Sequence, residues 1–175
     1  MNVRRTILAG TVGFVIVVTV IALTGEVVGS DGDICALAGT VLTGQRDALG
    51  LAVGFAANLV VALVAAFVYA AVFEWVTRRA GAIVGFLLAI PHMMLAGLVV
   101  GFLPAGGLER YGLTPPGGFL EYRGGWVVAA FVIAHLAFGV VVGALYGDTC
   151  HRVPSARPVW RDISSEAMEA GRRAD

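Results

Sequence analysis

Four stretches of the chain contain no Asp, Glu, Lys or Arg: residues 6–25, 48–73, 80–108 and 124–147. A helix needs roughly 20 apolar residues to cross about 30 Å of hydrocarbon at about 1.5 Å per residue, and each stretch is long enough. Backbone amides in lipid must be satisfied within their own segment or in a closed barrel. These runs are continuously apolar and lack the alternation of a barrel strand, so helices are expected. The predicted fold is all-α: a polytopic bundle of four transmembrane helices with spans of about 6–25, 48–73, 80–104 and 125–147.

Composition agrees with lipid as the solvent. Only 14% of the 175 residues are charged, against about 25% in soluble domains that must wet their whole surface. The formal net charge of zero gives no reason to expect a nucleic-acid partner. Arg4 and Arg5 precede the first span as they would a secretion signal, but its 20 uncharged residues exceed the roughly 7–15 of a signal core. It reads as a retained span.

All 12 basic residues are arginines, and nine lie at the N-terminus, in the link after the second span, or in the tail. With four spans these share one side, which the positive-inside rule makes cytoplasmic. The expected location is the cell (inner) membrane, with both termini in the cytoplasm. Cys35 and Cys150 then fall on opposite sides and cannot pair within a chain.

Between the first two spans, Asp33 is placed to cap a short helix over about 34–44. Ile34, Leu37, Ala38, Val41 and Leu42 would share one face of it. It is expected to lie on the outer interface or to cap the bundle. The connection after the third span carries Pro115, Pro116 and paired glycines and reads as a loop, with Tyr111, Tyr122 and Trp126 suited to an interfacial belt. Residues 149–175 form a polar cytoplasmic tail.

The second span carries Asn58, Ala62, Ala66 and Tyr69; the fourth carries His135, Gly139, Gly143 and Tyr146 at identical spacing. The first and third spans each follow an Arg-Arg pair and share Val-Gly-Phe. Two tandem helical hairpins would account for this, as in transporters built from parallel repeats. Asn58, Tyr69 and Tyr146 are expected as buried polar groups. Small residues four apart, Ala62 to Ala66, Gly97 to Gly101 and Gly139 to Gly143, are candidate helix-packing stripes.

The run from His135 to Gly147, a histidine followed by small residues and Gly-Ala-Leu-Tyr-Gly, resembles a family of small four-span prokaryotic integral membrane proteins of no known function. In that family both even-numbered spans tend to carry the histidine; here Asn58 stands in its place in the second span. The resemblance implies a fold and no activity.

His92 and His135 are the residues with chemistry to offer. Counted along antiparallel spans, both lie roughly 18 Å from the cytoplasmic face, at a shared depth near the bilayer centre. Ionisable groups there normally face the bundle interior, and Pro91 frees a backbone carbonyl beside His92. Three uses are open. The imidazoles can bond between helices, with each other, Asn58, Tyr69 or a carbonyl as partner. They can be axial ligands of haem b, although Gly139 and Gly143 on the His135 stripe favour close helix approach. They can belong to a proton or polar-solute path. Such a path wants carboxylates, and the one candidate, Glu74, reads as a surface ion pair with Arg78 at i+4. A metal site is not expected, since no third ligand lies at that depth. Asp148, Cys150 and His151 have poor ligand spacing.

No nucleotide-binding or hydrolase motif is present, so the expectation is a non-enzyme without cofactor. It would act as an oligomerising or accessory subunit of an inner-membrane complex, with the lipid bilayer and copies of itself or other membrane subunits as partners. Haem-mediated electron transfer, or translocation of a small solute or protons through His92 and His135, is the alternative.

Overall fold

The computed structural model describes residues 1–30, 33–103, 108, 111–147 and 149. Among these every regular element is helical. In order they are α1 (Val3–Val28), α2 (Ile34–Thr43), α3 (Ala48–Ala71), a π-helical turn (Val72–Thr77), α4 (Ala82–Gly101), a 3₁₀ segment (Gly118–Arg123) and α5 (Gly125–Tyr146). Four helices, α1, α3 with its π turn, α4 and α5, are long and apolar enough to cross a membrane. The tail beyond Thr149, with Cys150 and His151, lies outside the described residues, as does Asp148.

Polar caps start the early helices. Asn2 accepts from the Arg5 amide, Asp33 from Cys35 and Ala36, and Asp47 from Gly50, each satisfying donors that a helix start leaves orphaned. Residues 1–5, 72–81, 146, 147 and 149 gather at one end of the bundle, called here the N-terminal end; the described linker residues 29, 30, 33–47, 102, 103, 108 and 111–124 lie at the far end.

Helix α5 runs along both α1 and α4, and α1 also packs on α3. Helices α3 and α4 scarcely meet, so the four long helices form a curved wall open along the α3–α4 seam. The close pairs rest on small residues. A Cβ on Gly10 of α1 would stand 2.8 Å from that of Ala66. Gly139 and Gly143 of α5 face the backbone of Gly81 and Gly85, closely enough that any Cβ there would clash. Two of the three predicted stripes thus join helices within the chain.

The third stripe does something else. Gly97 of α4 is covered by the ring of Phe119, and Gly101 by Gly118, so this stripe seats the far-end connection rather than another helix. Where its prolines and glycines suggest a loop, Gly118–Arg123 of that connection form a 3₁₀ segment. Phe119 and Leu120 take left-handed φ values of 55° and 65°, which non-glycine residues rarely adopt. The turn drives Leu120 to full burial.

Helix α2 caps the bundle largely on the face its periodicity suggests: Leu37 is buried, Ile34 and Val41 pack against the same core, and Ile34, Leu37 and Ala38 face the cavity. The exception is Leu42, which is 61% exposed, and the buried face extends instead to Cys35, Gly39 and Thr40. Gly39 lies against Gly50, and Gly54 against Cys35 and Gly39, with no room for a Cβ. Backbone approach to α3 thus brings the small residues of α2 inward beside Leu37.

Two apolar cores result. One, towards the N-terminal end, joins Ala66, Tyr69, Phe73, Phe138, Val142 and Tyr146. The other, towards the far end, joins Ile21, Leu37, Leu120, Val127 and Phe131.

Candidate intramembrane binding site

Between the two cores the helices leave a cavity of about 270 Å³. Its walls come from all four long helices, and Ile34, Leu37 and Ala38 of α2 close it at the far end together with Leu120. The lining is apolar apart from His92, His135 and Asn58.

His92 stands ten residues into α4, and His135 eleven residues before the end of α5. At about 1.5 Å per residue both lie roughly 15–17 Å from the N-terminal end. The structure brings the two imidazoles together, with ring centroids 5.5 Å apart and planes at 64°. Each ring is held by a second group. His135 Nδ1 is 2.8 Å from the Phe131 carbonyl oxygen one turn earlier, and its ring lies on that of Phe131 at 4.1 Å. His92 Nδ1 is 3.3 Å from the Tyr69 hydroxyl on α3. Phe138 sits beside His92, its ring centroid 5.4 Å away.

The other predicted polar residues divide. Tyr69 does partner a histidine. Asn58 lines the cavity, but its amide donates to the carbonyls of Ile34 and Gly54 at 3.3 and 2.9 Å, tying α2 to α3. Tyr146 lies at the N-terminal end, away from the histidines.

There the expectation for Glu74 is overturned. It is 2% exposed, and its Oε1 accepts from the Tyr146 hydroxyl at 2.5 Å. The Asn2 amide donates to the same hydroxyl at 3.2 Å. In a regular α-helix Glu74 and Arg78 would share a face. The π turn over Val72–Thr77 changes that angular offset, and Arg78 ends the helix at a φ of 50°. Glu74 turns into the bundle, leaving Trp75 and Val76 outward at 69% and 74% exposure.

The histidine pair and the Glu74–Tyr146 pair are separated by an aromatic layer. Buried Phe73 and Phe138 fill the space between them, with Tyr69 packing edge-on against both rings.

Neither a metal nor a macrocycle fits these residues well. Among the described residues, no three His, Cys, Asp or Glu side chains stand together as a metal-holding group. For bis-histidine haem the porphyrin must lie between the imidazoles. Here the rings are neighbours, and α4 and α5 are pinned backbone to backbone at Gly85 and Gly139, two turns from His92 and one from His135. Comparison with protein families, curated proteins and solved structures returned no match, so the chemistry of the site carries the functional reading.

Proposed function

We propose that this is a non-enzymatic multi-pass membrane protein that holds a lipid-soluble small molecule at His92 and His135. The N-terminal end would face the cytoplasm, where the positive-inside rule puts its arginines. One observation carries the reading. Two imidazoles, each with one nitrogen already engaged, stand side by side on the wall of a cavity that is otherwise apolar except at Asn58. Binding sites are commonly of this kind, mostly apolar with a few convergent polar groups.

The other expectations draw less support. Translocation of protons or a polar solute needs a continuous polar route, and the Phe73–Phe138 layer interrupts it. Assembly as an accessory subunit or homo-oligomer would have to use lipid-facing surfaces, because all three small-residue stripes are occupied within the chain.

The test is extraction. The full chain is purified in mild detergent, its bound organic molecules are identified by mass spectrometry, and Ala96→Phe, which fills the cavity, is treated in parallel. A compound enriched over bulk lipid in the wild type and depleted in the variant is the expected result. Identical extracts from both proteins, showing bulk lipid alone, would refute the reading.

A further inference from the structure

The hydrogen-bonding roles of the two histidines narrow the class of molecule, given the binding role proposed above. A carbonyl oxygen can only accept, so the proton of His135 lies on Nδ1, donated to Phe131. Its Nε2 is left as an acceptor. Tyr69 is 4% exposed, and among the described residues His92 Nδ1 is the one polar atom recorded within reach of its hydroxyl. A buried hydroxyl that donates to nothing is costly. Tyr69 therefore donates to His92 Nδ1, and the proton of His92 lies on Nε2. The neighbouring rings thus offer one N–H and one lone pair. Asn58 does not alter this balance, since its amide hydrogens serve Ile34 and Gly54.

A single hydroxyl satisfies both, accepting from His92 and donating to His135. A ketone, quinone or ether oxygen only accepts, and would leave the His135 lone pair buried without a donor. An ammonium or carboxylate would carry a charge into an apolar cavity, at higher cost.

The shape of the site says where the remainder of the molecule goes. The volume of about 270 Å³ lies just below the roughly 300–1,000 Å³ of sites that enclose a whole small ligand. Two lining residues, Val61 of α3 and Val99 of α4, are 64% and 55% exposed, and these are the helices that scarcely meet. The cavity is open along that seam, which faces lipid in a membrane.

We infer that the cavity takes an uncharged long-chain alcohol, its hydroxyl between His92 Nε2 and His135 Nε2 and its chain leaving between α3 and α4. Isoprenoid and straight-chain alcohols share this chemistry.

The experiment measures displacement of tritiated farnesol from the full chain in phosphatidylcholine nanodiscs. Competitors are farnesol, farnesyl methyl ether, hexadecanol and a prenylated benzoquinone of farnesol's chain length. Farnesol is expected to compete about tenfold better than its methyl ether, the ratio for a buried acceptor left without its donor. His135→Phe should remove that difference. Val99→Trp, which narrows the seam and leaves both histidines in place, should weaken farnesol and hexadecanol alike. Stronger competition by hexadecanol than by farnesol assigns straight-chain alcohols; the reverse assigns isoprenoids. Equal binding of alcohol and ether, tighter binding of the quinone, or an unchanged preference in a folded His135→Phe protein overturns the alcohol assignment and leaves cavity binding standing. No saturable binding of any probe, with nothing enriched in the extract, overturns both.

Discussion

The Tyr146 hydroxyl donates to Glu74 Oε1 across 2.5 Å, joining the last turn of α5 to a π-helical turn 72 residues earlier in the chain. Both side chains are buried, so the bond forms where water offers little competition.

Tyr146→Phe removes that donor from a buried carboxylate. It should destabilise the protein by about 1–3 kcal/mol. Arg78→Ala tests the exposed i,i+4 pairing, which would cost about 0.3–0.5 kcal/mol. Reversible denaturation in mixed micelles gives both values. An arginine variant as costly as the tyrosine variant would mean that Glu74 is held by Arg78 after all.

Glycines along the α4–α5 contact differ sharply from those at exposed positions. A Cβ on Gly139 would meet the Gly85 backbone and Ala89, so Gly139→Ala should cost about 1–3 kcal/mol, as overpacking does. At Gly125 no atom lies within 4 Å of an added Cβ. Gly125→Ala should change the melting temperature little, and comparable losses at the two sites would contradict the close packing.

The two histidines should be opposite tautomers. Nitrogen-15 spectra of selectively labelled protein should show His135 protonated at Nδ1 and His92 at Nε2. Tyr69→Phe removes the donor that biases His92 and should redistribute its proton while leaving His135 unchanged. Matching tautomers in the wild type would refute the assignment.

Cys35 is buried on α2, and burial, then the neighbouring Asp33 carboxylate, pushes its thiol up from 9.0 to about 11. The thiolate is the reactive form, so alkylation of Cys35 at pH 7.5 should be slow in folded protein and rapid after denaturation. The raised value means the folded state prefers the protonated thiol. The associated stability is full below pH 9 and declines between pH 9 and about 11. Peptide mapping separates this site from Cys150; rapid labelling of folded Cys35 would contradict its burial.

The number and placement of the long helices were legible in the sequence because runs without charge, and their lengths, are local properties. The shared depth of His92 and His135 was legible for the same reason, since it follows from counting residues along antiparallel helices. Contact between their rings was not. It depends on the rotation of α4 against α5, which Gly85, Gly139 and Gly143 fix through backbone approach. The inward turn of Glu74 was hidden because α-helical spacing pairs it with Arg78, and a π turn has no comparable signature in one sequence. The Cys35–Gly39 and Gly50–Gly54 pairs could have been noticed as small residues four apart on both sides of a short linker. Sequence by itself determined which segments prefer lipid to water, a transfer preference summed over each segment. Tertiary structure alone decided which polar groups meet and where the cavity lies, because those depend on helix rotation and close packing between residues far apart in the chain.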